Sequence, residues 1–177
     1  MNSIEPKAFL SAIWPVNLLT HEMLELRAIH RKDGTIKRGW FPSIDEFLLE
    51  AKRCGEGWDI YFGISTRFGS ASKKTDCYRV KCVWVDLDKP KLPAFNPEPD
   101  FLVSSGNGYH VYWVLKEPVF VRSGKWTEIE AVNRALVKRF GGDIGAVDVS
   151  RILRVPGFLN YKYSPPRKVK AFDAISD

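Results

Sequence analysis

The run Val83-Trp84-Val85-Asp86-Leu87-Asp88 limits the fold more than any other stretch of the chain. It is apolar, rich in valine, and closes on two carboxylates. Such a run predicts a strand. Being apolar on both faces near its end, it reads as a central strand covered on both sides. Side chains in a strand repeat every two residues, so Asp86 and Asp88 project from one face. Their Cβ atoms are then about 6–7 Å apart, given a rise of ~3.3 Å per residue. Two like charges at that spacing repel unless a cation lies between them. Carboxylate oxygens suit Mg²⁺ or Mn²⁺. A second stretch, Ser104-Ser105-Gly106-Asn107-Gly108-Tyr109-His110, is a glycine turn that feeds a histidine onto the next apolar strand. Exposed glycine amides and an imidazole make a phosphate cradle. Carboxylates suited to metal beside such a cradle point to phosphoryl or nucleotidyl transfer.

The remaining pattern surrounds these two stretches with short elements. Residues 6–14 form an amphipathic helix with proline near its start. Residues 23–30 and 36–41 pair as strands across the turn Lys32-Asp33-Gly34-Thr35. Ser43 and Glu46 make a capping box for a helix reaching Cys54, which Gly55 stops. Residues 58–64 are a strand, 65–75 a polar basic loop, and 77–86 the strongest strand. A proline-rich connector leads to strands at 101–103 and 109–115. A helical stripe covers 125–140, ended by Gly141-Gly142. Asp148 opens a short helical turn over Val149–Arg154, and 158–161 and 168–174 are closing strands. This order predicts an α+β fold: a ferredoxin-like, RRM-like antiparallel sheet backed by helices, with an N-terminal αβ unit. The expected organisation is a single domain over 1–177, with an αβ part at about 1–75 and a catalytic part at about 76–177. Because the chain stops shortly after its last strand, we expect a domain cut from a longer protein.

The 177 residues are 45% hydrophobic, enough for one core. A net charge of +6 suits a polyanionic partner, although a merely basic protein would show the same balance. No apolar run approaches the ~20 residues of a membrane helix, so no membrane partner is expected. The N-terminus lacks the basic and apolar regions of a leader, which predicts a cytoplasmic protein. Three cysteines without a CxxC spacing read as free thiols.

Three groups occur in order: Asp86-x-Asp88; Ser105-Gly106-Asn107-Gly108-Tyr109-His110; and Asp148 followed by Arg151-Ile152-Leu153-Arg154-Val155-Pro156-Gly157-Phe158-Leu159-Asn160-Tyr161-Lys162. Together they resemble the archaeo-eukaryotic primase superfamily, and in particular the primase-polymerases of plasmids, phages and mobile elements. The resemblance covers about residues 23–165. It implies a DNA primase-polymerase that transfers nucleotides from (d)NTP to a 3′-hydroxyl by a two-metal mechanism, in primer synthesis or extension. Asp86, Asp88 and Asp148 would hold Mg²⁺ or Mn²⁺. Ser105, Gly106, Gly108 and His110 would hold the triphosphate. Arg151, Arg154 and Lys162 would neutralise phosphate or contact the template. Expected partners are a DNA template and primer, nucleoside triphosphates, and a helicase domain or other replication partner. The chain departs from the family in having Gly108 where many members carry serine, and in lacking a Cys/His zinc insert.

Blander readings attach to the same residues. Asp86 and Asp88 could cap the Lys89-Pro90 turn, and Asp148 could be a plain N-cap. Arg67, Lys73 and Lys74 read as a solvated loop, with Arg67 a lesser candidate for nucleotide contact. Trp40, Trp58 and Trp113 read as core. Alternative functions are a two-metal nuclease, or a non-catalytic single-stranded nucleic-acid-binding domain. The latter is disfavoured by the absence of an RNP1-like basic-aromatic motif.

Overall fold

A computed structural model describes residues 3–122 and 124–174. The stretch read above as lacking a leader begins with Met1 and Asn2, which lie outside the described residues, as do Ser123 and residues 175–177. In chain order the elements are β1 (Ser3–Ile4), α1 (Pro6–Ile13), β2 (Glu22–His30), β3 (Ile36–Phe41), α2 (Ile44–Arg53), β4 (Trp58–Gly63) and β5 (Arg67–Phe68). There follow β6 (Arg79–Leu87), β7 (Phe101–Ser104), β8 (Tyr109–Phe120), α3 (Trp126–Phe140), β9 (Ile152–Arg154), β10 (Leu159–Asn160), β11 (Arg167–Lys168) and β12 (Lys170–Asp173).

Two antiparallel sheets hold the core. One has the order β1-β12-β7-β8-β6 and the other β3-β2-β4-β9, with β5 added to β2. Helix α1 is the wedge between them. Phe9 meets Phe62 of the second sheet edge-on, and Phe101 and Tyr112 of the first, at 5.2–6.1 Å between ring centres. Burying one such ring is worth about 1.5–3 kcal/mol. Trp14 closes the end of the wedge, donating its indole N–H to the Gly63 carbonyl at 3.0 Å. Helix α2 starts as its capping box predicts: the Ser43 hydroxyl accepts from the Glu46 amide. The expected α+β class is observed: among the described residues these two sheets, a small β10–β11 ribbon and three α-helices. Strands β1 and β12 pair across the ends of the chain, and β9 joins β4, so both sheets mix early and late segments.

Three local expectations differ from the structure. Strand β6 lies at the edge of its sheet rather than in its middle. It is still covered, because Asn133 of α3 accepts from the Trp84 amide at 3.0 Å and the Asp143 amide donates to the Asp86 carbonyl at 2.8 Å. Those two contacts replace a neighbouring strand on the open edge. The segment 65–75 is solvated only in its later part: Ser65, Thr66 and Arg67 are buried, whereas Lys73 is exposed as expected. The turn expected over Val149–Arg154 is confined to its start, where the Arg151 amide donates to the Asp148 carbonyl at 3.0 Å; Ile152–Arg154 form strand β9 instead, because β4 offers them an open edge. All three cysteines are free. Among the described residues no helix is long and apolar enough to cross a membrane.

Candidate functional site

The site lies where the two sheets come together. Asp86 ends β6 directly across from His110 at the start of β8, a cross-strand pair whose side chains share one face. The two groups are 3.9 Å apart, Nε2 to Oδ1. From the second sheet, β4 and β9 contribute Tyr61 and Arg154, also cross-strand partners. A cavity of about 470 Å³ is lined by these four, by Asp88, Ser105, Gly108 and Asp143, and by Arg151 and Lys162. A larger groove of about 840 Å³ runs along α1, α2 and β12. It contains no histidine, and its Asp45 is paired with Lys7 at 2.7 Å.

The electrostatics mark the smaller cavity as a place for an anion and cations together. Burial pushes the Asp86 carboxyl above the usual carboxylate range; Arg151 opposes this and Asp143 adds to it. Burial, with Arg154 and Arg151 nearby, lowers the His110 imidazole to about 3, so it is neutral at pH 7. Burial also holds the Tyr112 hydroxyl protonated, and it lies 3.5 Å from His110 Nδ1. In the tautomer that accepts this hydroxyl at Nδ1, the ring proton is on Nε2, beside Asp86.

Sequence reasoning missed Asp143. Its backbone amide is bonded to Asp86, and Arg151 Nη2 lies 3.9 Å from Asp86 and 3.7 Å from Asp143. One guanidinium nitrogen therefore faces both acids. Two glycines bring Asp143 there. Gly141, at φ +79°, ends α3 in the left-handed conformation that favours glycine. Gly142 has no such φ; a Cβ on it would lie 2.4 Å from Val85 Cγ1 and 2.7 Å from the Asp86 carbonyl. The readable signal was the second glycine, since one suffices to stop a helix. Gly142→Ala should therefore lower stability by about 1–3 kcal/mol through overpacking. It should also shift Asp143 off Asp86, which thermal melting and a nucleotide-addition assay would both register.

Asp148, expected as the third acid, is not among the residues lining the cavity. Its Oδ1 accepts from the Ser150 amide at 3.0 Å and from the Ser150 hydroxyl, a local turn that uses the carboxylate. The same turn carries the chain into Arg151, whose amide donates to the Asp148 carbonyl at 3.0 Å. Gly106 also lies outside the cavity lining. It stands at φ +135°, and a Cβ there would lie 2.6 Å from the Tyr163 ring. It lets the turn tuck under Tyr163 and Asn160 rather than offering an amide to phosphate. Asn160, buried, donates to the Ser105 carbonyl at 2.6 Å and fixes that turn. Gly108 does line the cavity; a Cβ would lie 2.2 Å from the Leu87 carbonyl. Ser105 donates its hydroxyl to the Gly108 carbonyl at 3.2 Å.

Arg67 does not reach the cavity. It is fully buried, donating to Glu25 at 2.6 Å, to the Ser150 carbonyl at 3.1 Å and to the Cys77 sulfur. Arg154 is held by Asp59, which also accepts from the Tyr161 amide at 2.8 Å. The structure thus gathers Asp86, Asp88, Ser105, Gly108, His110, Arg151, Arg154 and Lys162, adds Asp143, and leaves out Asp148 and Gly106.

Residues 94–170 match the family model of the RepB DNA-primase N-terminal domain. The chain also superposes on the archaeo-eukaryotic primase domain of the cyanophage S-2L primase-polymerase, with a TM-score of 0.66 at 22% identity, covering 94% of this chain and 93% of that one. The chain carries the archaeo-eukaryotic primase fold. A similar superposition holds for primase RepB′, with a TM-score of 0.65 at 16% identity over 96% of this chain and 54% of that one. It holds too for the RepB′ catalytic domain solved with initiator DNA, with a TM-score of 0.63 at 14% identity over 96% and 81%. A replication protein of Clostridium perfringens is 32% identical over 80 residues, 45% of this chain and 20% of that protein, so this chain spans about a fifth of that relative. The likeness read from the motifs is borne out in the fold and in the family-model match over residues 94–170, and the cavity lies where the two sheets of that fold meet.

Proposed function

We propose that this chain is the catalytic domain of a DNA primase-polymerase, adding nucleotides to a 3′-hydroxyl on a DNA template. The observation that supports this most is the convergence of Asp86, Asp88 and Asp143 with His110, Arg151, Arg154 and Lys162 on one cavity.

The residues present fit divalent cations by donor chemistry. Asp86, Asp88 and Asp143 offer hard oxygen ligands, and burial of Asp86 leaves a carboxylate whose charge favours a cation beside it. Among the described residues no group of three acids, histidines or cysteines forms a ready-made cage. The place between Asp86 and Asp143 is taken by Arg151. Bound Mg²⁺ or Mn²⁺ would supply activation of the 3′-hydroxyl and charge neutralisation on the departing pyrophosphate.

The chain's own groups account for the rest. Arg151, Arg154 and Lys162 bring positive charge to an incoming triphosphate. The Nε2 proton of His110 is placed to donate to a phosphate oxygen, and because the ring is neutral it does so without adding charge. Gly108 lets the turn close against Leu87, which sets His110 opposite Asp86. In the reaction the 3′-oxygen bonds to the α-phosphorus, the α–β phosphoanhydride breaks, pyrophosphate leaves, and the hydroxyl proton passes to solvent. Little covalent work falls to the protein, so orientation and charge carry the rate.

Incubating the protein with a primer–template, labelled dNTP and Mn²⁺ should lengthen the primer. A primer that is shortened instead would favour a nuclease. A primer left intact under both Mn²⁺ and Mg²⁺, with a de novo priming assay also silent, would overturn the assignment.

A further inference from the structure

The face of the second sheet beside the cavity carries a row of positive charge that continues from Arg154, which the catalytic reading uses, to two arginines that it does not. In the antiparallel register Arg38 of β3 lies opposite Arg27 of β2, Arg27 opposite Tyr61 of β4, and Tyr61 opposite Arg154 of β9. Directly opposed residues share a face, so the four side chains form one line across the sheet. At ~4.8 Å between strands, the line runs about 14 Å from the outer edge to the cavity. Like charges placed opposite one another destabilise a sheet. Glu25 offsets part of that cost at Arg27 and Asp59 offsets part of it at Arg154, but no acid offsets it at Arg38 among the described residues.

The row is also incompletely paired. Arg38 is exposed and makes no ion pair or hydrogen bond among the described residues. Arg27 spends one nitrogen on Glu25 at 2.6 Å, while its Nε is buried with no partner. Arg154 lies over the Tyr61 ring at 4.8 Å. Arginines spaced along a sheet, with an aromatic among them, suit a flexible polyanion: phosphates for the guanidiniums and a base for the ring.

We propose that this row, Arg38-Arg27-Tyr61-Arg154, is the track along which a single-stranded nucleic acid enters the cavity from the β3 edge. The proposal rests on the nucleotidyl-transfer reading for its direction and on the unpaired charge for its partner. A single strand fits better than a duplex because the row is one residue wide and includes a ring at which a base can stack.

The test is anisotropy titration of a labelled single-stranded DNA against the wild-type chain, Arg38→Glu and Arg27→Gln at several salt concentrations. Arg38→Glu should weaken binding roughly tenfold whatever the sequence, and each lost phosphate contact should lower the salt slope by about 0.7. In primer extension the same variant should raise KM for primer–template and leave KM for dNTP unchanged. Unchanged affinity and slope in both variants, at wild-type melting temperature, would overturn the track. Weakened binding in a chain that never extends a primer would support the track while removing the catalytic reading. Full extension with unaltered KM for template in Arg38→Glu would do the reverse.

Discussion

Asp143→Asn should slow nucleotide addition by roughly 10²–10³-fold, as Asp86→Asn should, because each removes a charge that acts where charge develops in the reaction. Asp148→Asn should stay within a few-fold of wild type. The contrast follows from placement. Asp86 and Asp143 line one cavity and share a guanidinium nitrogen of Arg151, whereas Asp148 is occupied by its own turn. Stability should separate the variants in another sense. Burial raises the Asp86 carboxyl pKa, so its ionised form is the costlier one in the folded protein. Asn at 86 should therefore hold or raise the melting temperature while activity falls. Asp148→Asn should lower it modestly, since an amide side chain replaces the acceptor in a local turn. Primer extension under Mn²⁺ with parallel thermal melts reads both. Equal losses of activity for Asp143→Asn and Asp148→Asn would show the third acid to be misplaced.

That difference marks the limit of what the residues alone disclose. The strand ending in Asp86-x-Asp88, the glycine turn and His110 were legible because a strand's two-residue period fixes which side chains share a face. Helices α2 and α3 were legible from Ser43, Glu46 and the Gly141 stop. Asp143 was not legible, because its placement depends on a loop pressed against an edge strand through Gly142, a contact with no periodicity. The placement of Asp148 outside the cavity lining was not legible for the matching reason: an aspartate before Val149-Ser150-Arg151 looks alike whether it faces a cavity or closes a turn. The arginine row was also hidden, since register between β3, β2, β4 and β9 joins residues 38, 27, 61 and 154. Arg67 was read as solvated from its polar neighbours, although the chain turns it inward to meet Glu25.

Arg67→Met should destabilise the protein by about 3 kcal/mol, the lower end for breaking a buried ion pair. For a chain of this length that is roughly a 6–12 °C fall in melting temperature. The cost arises on the partner. Glu25 is fully buried and would keep Arg27 and Ser72 but lose the guanidinium at its Oε2. The double variant Arg67→Met with Glu25→Gln should recover at least half of the loss, because the stranded charge is then gone. Activity should not recover with it. Arg67 donates to the Ser150 carbonyl, and Ser65 donates to the neighbouring Val149 carbonyl at 2.5 Å. Together they pin the segment that presents Arg151 to Asp86 and Asp143. With Arg67 gone that segment loses its tie at Ser150 while Ser65, Glu130 and Ile64 still hold the residues on either side, so the double variant should regain most of its melting temperature yet show a raised KM for dNTP. Recovery of both together would mean that Arg67 serves the core alone; a double variant no more stable than the single one would place the cost elsewhere than on Glu25.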